Sequence, residues 1–392
     1  MAIRRRVPRQ PSASSPRPRI LLVGLDGFPP AAVNASDTPV LWALGGAGGR
    51  AADGGCADLP STTYPGFASL LTGRHGGRPS ALPGGSRGHG VRTTAHDGAA
   101  VPGWAGHRSV RAQTVLHAAD AAGLQTGAVL GDHKLHGVLD LGRLTRWPRA
   151  GRVPGGTRLD AHGYPTNGAV RGPLLTALVE PGWDLLFAQL NEVDSLGHDL
   201  GPDAPTTAEA RRTTDALLGD AFELLRPEWD RTIVIVVSDH GMDRRIPGAS
   251  IDIARTEGAG VWLDGWIGDG GAAWIRVRDG NDRDTVGDAI AALDGVIAVE
   301  ARGTRKLLAL AGPGRAFLGS RHSGGVHGSI STSRTLAVVG GGHEAADLMG
   351  LVITHRPPHL ADWAPAIAAV LGIPLYGSHG LPVLLGGADR PG

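Results

Sequence analysis

Six mostly apolar residues, Ile20-Leu21-Leu22-Val23-Gly24-Leu25, run straight into Asp26-Gly27-Phe28 and the proline pair Pro29-Pro30. A short apolar run closed by glycine and proline reads as a buried strand of a parallel sheet. Such strands carry functional groups at their carboxyl ends, where loops open into a crevice. Asp26 stands at that end, and the fold must be one that brings partners to it.

The rest of the chain supplies the sheet. Thr38-Pro39 ahead of Val40-Leu41-Trp42-Ala43-Leu44 predicts a helix with Thr38 as N-cap and proline at its first position. The hydroxyl cluster Ser61-Thr62-Thr63 lies just before a short apolar helix closed by Gly73. Residues 74–110, rich in Gly, Arg and Pro, read as a loop. A helix over Val115–Ala122 leads to a strand over Thr126–Leu130, and after a long loop comes a strand over Trp183–Leu190. A helix covers Thr206–Leu225, with Leu217, Ala221, Leu224 and Leu225 on one face. Thr232–Val237, the most β-branched run of the chain, predicts a central strand. Strands alternating with helices define an α/β fold, a mostly parallel central sheet flanked by helices.

Residues 247–318 break that rhythm. Strands are expected over Gly260–Leu263, Ala273–Val277, Val296–Ala301 and Lys306–Leu310, with a helix over Thr285–Leu293, which makes a small α+β cap insertion. The sheet resumes with Thr335–Val339, and a helix over Leu360–Leu371 packs back on it. The expected organisation is a disordered basic tail over 1–19, a core over 20–246 and 319–385, and the cap over 247–318.

Lys and Arg number 38 against 37 Asp and Glu, so overall charge argues for neither a nucleic-acid polymer nor a membrane as partner. Arg4-Arg5-Arg6 is followed by Pro8, Pro11, Pro16 and Pro18 with no apolar stretch, so an export signal is not expected. No run is long enough to span a bilayer. Cys56 is the lone cysteine, which excludes an intramolecular disulfide. The expectation is a cytoplasmic protein.

Four further segments follow or flank predicted strands: Thr63 at a helix start, Asn191-Glu192-Val193-Asp194-Ser195-Leu196-Gly197-His198, Ser238-Asp239-His240-Gly241-Met242, and Val326-His327-Gly328 in a Gly-rich loop. Each alone has an ordinary explanation as a turn, cap or solvated residue. Together they place acids and histidines at the carboxyl ends of several strands of one sheet. Asp194 and His198, four apart on a helical turn, share a face. Carboxylates plus imidazoles without thiolates suit Zn²⁺ or Mn²⁺ in a catalytic site. Three acids and three histidines supply three protein ligands to each of two ions, with room for a hydroxyl and a substrate.

The set resembles the alkaline phosphatase superfamily, and most closely its nucleotide pyrophosphatase/phosphodiesterase branch. The matching pieces are Leu25-Asp26-Gly27-Phe28, Thr38–Leu44, Pro60-Ser61-Thr62-Thr63-Tyr64-Pro65, Asp194-Ser195-Leu196-Gly197-His198, Ser238-Asp239-His240-Gly241-Met242 and His327-Gly328, in family order. The resemblance implies an alkaline phosphatase-like core and two zinc ions. One would be held by Asp194, His198 and His327, the other by Asp26, Asp239, His240 and the Thr63 hydroxyl. It selects Thr63 over Ser61 and Thr62 as nucleophile, because the family pattern sets that residue directly before the aromatic-proline pair. The activity implied is hydrolysis of phosphodiester or nucleotide pyrophosphate bonds through a phospho-threonine intermediate.

Two departures bear on the substrate. Many diesterases of this branch carry an Asn in a His-Gly-Ile-x-x-Asn-like segment, where this chain reads Arg74-His75-Gly76-Gly77-Arg78-Pro79. Tyr64 fits the first of a pair of aromatics that clamp a base, or else a packed wall, while Gln189 stands where the second is expected. A partial resemblance to phosphonoacetate hydrolase rests on Gly131-Asp132-His133-Lys134-Leu135. There Lys134 would meet a substrate carboxylate or phosphate and Asp132 replaces a second lysine. Phosphonates or phosphomonoesters are therefore the alternative substrates, and a catalytically degenerate metal-binding protein of the same fold is the alternative of another class. Cys56 lacks the Cys-x-Pro-x-Arg context of sulfatases, and the modest insertion and threonine speak against cofactor-independent phosphoglycerate mutases.

Overall fold

The apolar run forms strand β1, Arg19–Leu25, buried along its whole length. In the computed structural model, which describes residues 17–76, 88–91, 110–319 and 323–384, it is the middle strand of a seven-stranded sheet. The first half of the chain continues with α1 (Pro39–Ala47), β2 (Gly49–Arg50), α2 (Thr63–Thr72), α3 (Val115–Ala121), β3 (Thr126–Leu130) and β4 (Thr145–Trp147). Next come α4 (Asn167–Val179), β5 (Leu185–Leu190), α5 (Glu192–Leu200), α6 (Pro205–Leu225) and β6 (Thr232–Val237). A separate layer holds β7 (Leu263–Asp269), β8 (Ala272–Val277), α7 (Arg283–Ala291), β9 (Val296–Ala301) and β10 (Lys306–Ala311). The chain then returns through β11 (Ala337–Gly341), α8 (Glu344–His355) and α9 (Trp363–Leu371).

The large sheet has the order β2-β11-β6-β1-β5-β3-β4. β1 pairs in parallel with β5 and β6, and β3 with β5 and β4, while β11 runs antiparallel to β6 and β2. The mostly parallel α/β fold is as expected. Alternation along β1 sends Ile20 and Leu22 to one face, against Phe67 and Leu70 of α2 and Trp363 of α9. Leu21, Val23 and Leu25 meet Leu41 of α1, Leu174 of α4 and Leu218 of α6 on the other. Each such side chain contributes about 1.5–3 kcal/mol of burial, so the sheet is a firm base for whatever its carboxyl ends carry. In the separate layer β7-β8-β10-β9 form an antiparallel sheet. Its core joins Ile275, Leu307 and Phe317 to Val286 and Ile290 of α7.

Several expectations are corrected. The stretch read as a long loop before β5 contains β4 and the helix α4, whose Pro173, Gly168 and Gly172 mask its periodicity in the sequence. It buries Val170, Leu174, Ala177 and Leu178 at helical spacing and is capped by Thr166, whose hydroxyl accepts from Ala169 N at 3.3 Å. Helix α8, absent from the sequence reading, buries Ala346, Met349, Gly350, Val352 and Ile353. Thr38 does not cap α1: its hydroxyl donates to the Ala32 carbonyl at 3.0 Å. The cap comes from distant Asp215, which accepts from Val40 N at 2.9 Å and Leu41 N at 2.8 Å. Leu224 is exposed, unlike Leu217, Ala221 and Leu225. Gly260–Leu263 is mostly a helical turn, Ala259–Trp262, with the strand starting at Leu263. Most of the basic tail lies outside the described residues, and of 74–110 only 74–76, 88–91 and 110 are described. Among the described residues no helix is long and apolar enough to cross a membrane.

Candidate metal centre

Three adjacent strands, β5, β1 and β6, deliver the acids. Asp26 follows β1 and ties to β5 through its N–H, which donates to Leu190 O at 2.9 Å. β5 runs into α5, which carries Asp194 and His198 one turn apart. β6 runs into Ser238-Asp239-His240, all buried. Gly27 adopts φ +62°, and its N–H donates to Asp239 Oδ1 at 3.2 Å. A Cβ there would sit 2.8 Å from Asp194 Oδ1, so the close approach of Asp26 and Asp194 needs glycine at this turn.

The predicted residues converge. His198 Nε2 lies 3.4 Å from Asp194 Oδ2 and 3.0 Å from His327 Nε2. His240 Nε2 lies 3.2 Å from Asp239 Oδ2 and 3.6 Å from Asp26 Oδ1. Thr63 Oγ1, at the first residue of α2, is 3.2 Å from His240 Nε2 and 3.5 Å from Asp26 Oδ1. Asp194, His198 and His327 bring their ligand atoms within 4.8 Å of one another, and so do Asp26, Asp194 and His240. Asp194 thus belongs to both groups.

The imidazoles are set for a cation. His240 Nδ1 donates to Gly241 O at 2.9 Å, His198 Nδ1 to Gly325 O at 3.3 Å, and His327 Nδ1 to Ser61 O at 3.2 Å. A carbonyl oxygen only accepts, so each Nδ1 carries the proton and each Nε2 turns a lone pair to the centre. That is the tautomer a metal ligand needs, held by a backbone partner. Burial, then the charges of Asp239 and Asp194, pushes the Asp26 carboxyl far above its usual range. Burial, then Asp194, does the same to Asp239. Burial also lowers His198 to about 3 and depresses His240. Among the described residues Asp239 Oδ2 has no hydrogen-bond donor. Crowding Asp26, Asp194 and Asp239 in a buried site raises the cost of ionising them together. The donor set fits Zn²⁺ or Mn²⁺ and is poorly explained without a cation.

Gln189, where a second aromatic was expected, does other work. Buried on β5, it donates from Nε2 to Asp26 Oδ2 at 2.9 Å and accepts from Asp132 N at 2.6 Å. It orients Asp26 and joins the centre to the loop after β3. On that loop Asp132 accepts from Lys134 N at 2.8 Å and from the Tyr64 hydroxyl. Burial raises Asp132 to about 7. Lys134 Nζ donates to the Tyr164 hydroxyl at 3.2 Å and lies 4.6 Å over that ring. Tyr64 and Tyr164 share a hydrogen bond, and burial raises both phenols. Tyr164 was not found from the sequence, having no motif around it. Its one signal was rarity, as one of 3 tyrosines in the chain. Arg74 and His75 turn elsewhere, Arg74 donating to Tyr376 O at 2.8 Å.

A second acid–histidine group lies at the other end of α2. Asp58 Oδ1 accepts from His75 Nδ1 at 3.0 Å and His359 Nε2 at 3.4 Å. Its Oδ2 accepts from Gly76 N at 2.9 Å and from the Ser69 hydroxyl at 3.1 Å. Asp58, His75 and His359 also bring ligand atoms within 4.8 Å. Here, however, His359 Nδ1 accepts from Ala361 N at 3.0 Å, and His89 Nδ1 accepts from Val91 N at 3.2 Å. His379 Nδ1 likewise accepts from His75 N at 3.1 Å. Each of these three rings therefore carries its proton on Nε2, and the group is a hydrogen-bonded hub around a carboxylate.

Sheet order and the acid–imidazole centre at the carboxyl ends of β1, β5 and β6 define an alkaline phosphatase-like α/β protein. Residues 127–309 match the type I phosphodiesterase / nucleotide pyrophosphatase family. The resemblance to the nucleotide pyrophosphatase/phosphodiesterase branch of the alkaline phosphatase superfamily is thereby borne out. The fold is shared with murine ectonucleotide pyrophosphatase/phosphodiesterase 5, at TM-score 0.64 and 17% identity over 92% of this chain and 97% of that one. The human protein of the same name gives TM-score 0.62 and 17% identity over 91% and 95%. An inactive form of the murine protein has been solved with AMP, and matches at TM-score 0.63 and 17% identity over 93% and 97%. GPI ethanolamine phosphate transferase 3 of Schizosaccharomyces pombe is 34% identical over 86 residues, 22% of this chain, and the match spans 9% of that relative's length. The family match over 127–309 and the shared fold together support a phosphoester hydrolase.

Proposed function

We propose that the chain is a two-zinc phosphohydrolase that cleaves phosphodiester or nucleotide pyrophosphate bonds through Thr63. The observation that carries the reading is the meeting of Thr63 Oγ1 with His240 and Asp26 at the start of α2. Asp194, His198 and His327 would hold one ion, and Asp26, Asp239, His240 and Thr63 the other. When bound, the ions supply positive charge that acidifies a neighbouring hydroxyl and offsets charge on phosphoryl oxygens.

This chain's residues would do the rest. Thr63 would give its proton to solvent and attack phosphorus, the Oγ1–P bond forming as the bond to the leaving oxygen breaks and that oxygen takes a proton from solvent. Water would then attack the phospho-threonine, breaking the Oγ1–P bond, returning the Thr63 hydroxyl and releasing the phosphoryl product. The Thr62 side chain does not cap α2, and the positive end of that helix would lie beside the phosphoryl oxygens. Gln189 holds Asp26 in place. Tyr64, Tyr164 and Lys134 form an aromatic and cationic wall beside the reacting atoms, suited to the organic part of a nucleotide. The complex of a neighbour of the same fold with AMP supports that choice. Lys134 alone also supports the phosphonate alternative. Asp132, fixed where a second lysine would serve a second anionic group, favours the diester.

The test is a side-by-side assay on bis-p-nitrophenyl phosphate, p-nitrophenyl phosphate and phosphonoacetate, before and after chelation and with zinc restored. The expected outcome is fastest turnover of the first, background rates after chelation, and recovery with zinc. Fastest turnover of phosphonoacetate would favour the alternative substrate. A chain holding two zinc ions that turns over none of the three would be the degenerate binder.

A further inference from the structure

The separate α+β layer touches the centre at one hairpin. Strands β7 and β8 are joined by Asp269-Gly270-Gly271, and this tip lies against Val326-His327-Gly328 of the core. The Gly271 N–H donates to the His327 carbonyl at 2.7 Å. Gly270 has φ +62°, and a Cβ there would overlap that same carbonyl and come within 3.2 Å of Val326. Gly328 has φ +112°, and a Cβ there would lie 2.6 Å from the Asp269 carbonyl and 3.2 Å from Gly271 N. Two backbones cross with no room for a side chain from either.

The contact continues on both sides. The Ala311 N–H of β10 donates to Gly271 O at 2.8 Å, and the Ser329 hydroxyl donates to Ala311 O. From the opposite side the nucleophile segment holds the same stretch, with Ser61 N donating to Gly328 O at 3.3 Å and His327 Nδ1 donating to Ser61 O at 3.2 Å. His327 is therefore gripped between the segment that presents Thr63 and the tip of the cap hairpin.

We propose that the cap hairpin is a positioning element of the metal centre, with Gly270 and Gly271 setting the backbone of His327. The inference rests on the two-metal reading. Loading of the Asp194–His198–His327 group and docking of the hairpin then stabilise each other, since coupling between two binding events is reciprocal. An ordinary lid would cover the substrate without changing how tightly the metal is held; this one does change it.

The test is zinc content and affinity of Gly270→Ala by elemental analysis and chelator competition. Unmodified chain should hold about two zinc ions, and Gly270→Ala about one, with the second bound at least about tenfold more weakly, as for other residues that orient a ligand from behind. Gly280→Ala is the control. It is a cap glycine at φ +82° with nothing near its Cβ, and it should keep both ions. Should Gly270→Ala fail to fold, hydrogen exchange of the unmodified chain decides. Saturating zinc should slow exchange of the Gly271 amide at least about tenfold and leave α7 unchanged. Two zinc ions held by Gly270→Ala at unmodified affinity, or exchange at Gly271 indifferent to zinc, would overturn the coupling. Fewer than two ions in the unmodified chain would instead overturn the two-metal reading.

Discussion

The two ends of α2 carry the same kinds of residue and opposite electrostatics. At its start, Asp26, Asp194 and Asp239 face His198, His240 and His327, whose Nδ1 protons go to backbone carbonyls. Past its end, Asp58 faces His75 and His359, and His359 accepts a backbone N–H at Nδ1. The first arrangement turns lone pairs inward toward carboxylates that burial has made hard to ionise. The second turns protons inward: burial opposes ionisation of Asp58, yet hydrogen bonds from His359 and His75 hold it well below the usual carboxylate range. What distinguishes the candidate metal centre from the hub is the direction of the N–H groups, and that is set by the backbone groups each ring meets.

The comparison can be broken most forcefully at Thr63. Thr63→Ala should lower kcat/KM by at least about 10³-fold, the scale seen when a covalent nucleophile is removed. Zinc content and thermal midpoint should stay near those of the parent, and a variant with parental turnover would disprove the nucleophile assignment. Next in size is the response of stability to pH with and without metal. Asp26 and Asp239 have raised folded pKa values, so in metal-free chain their contribution is intact below about pH 4. It is lost as pH rises toward the folded values. The midpoint gap between zinc-loaded and metal-free chain, followed by calorimetry from pH 5 to 8, should therefore widen with pH.

Asp58 has the opposite sign. Its depressed pKa gives stability that is present above about pH 4 and lost as pH falls through the folded value. Asp58→Asn should cost about 1–3 kcal/mol in denaturant unfolding at neutral pH, the penalty for disturbing a hydrogen-bonded charge. It should leave two zinc ions bound; loss of an ion would mean the hub is part of a metal site after all. The smallest effect is expected at Lys134, where Lys134→Ala should raise KM about tenfold with little change in kcat, as for one charge-assisted contact of about 1.4 kcal/mol. A fall in kcat alone would place Lys134 at the reacting atoms rather than on the binding wall.

Much of this was legible in the sequence because it is written in short-range patterns. A strand buried on both faces is a continuous apolar run, as at Ile20–Leu25 and Thr232–Val237. Acids and histidines just past such strands, as at Asp26, Asp194, Asp239 and His240, are metal-centre candidates by residue type and position together, and the family resemblance implies their roles. Helix α4 was missed because Pro173 and its glycines hide the periodicity, and only burial of Val170, Leu174 and Leu178 against the sheet explains why it is a helix. The true cap of α1, Asp215, lies 175 residues from Val40 and has no local signature.

The chain's sequence by itself determined the parallel sheet, the order of its parts and the residues that converge on its carboxyl edge, since these follow from hydrophobic periodicity and side-chain chemistry. Tertiary structure alone decided the tautomers, the hold of Gln189 on Asp26, the Tyr164–Lys134 wall, the hub at Asp58 and the cap hairpin behind His327. Each depends on which backbone N–H or carbonyl arrives beside a side chain after folding. No residue type or spacing records that.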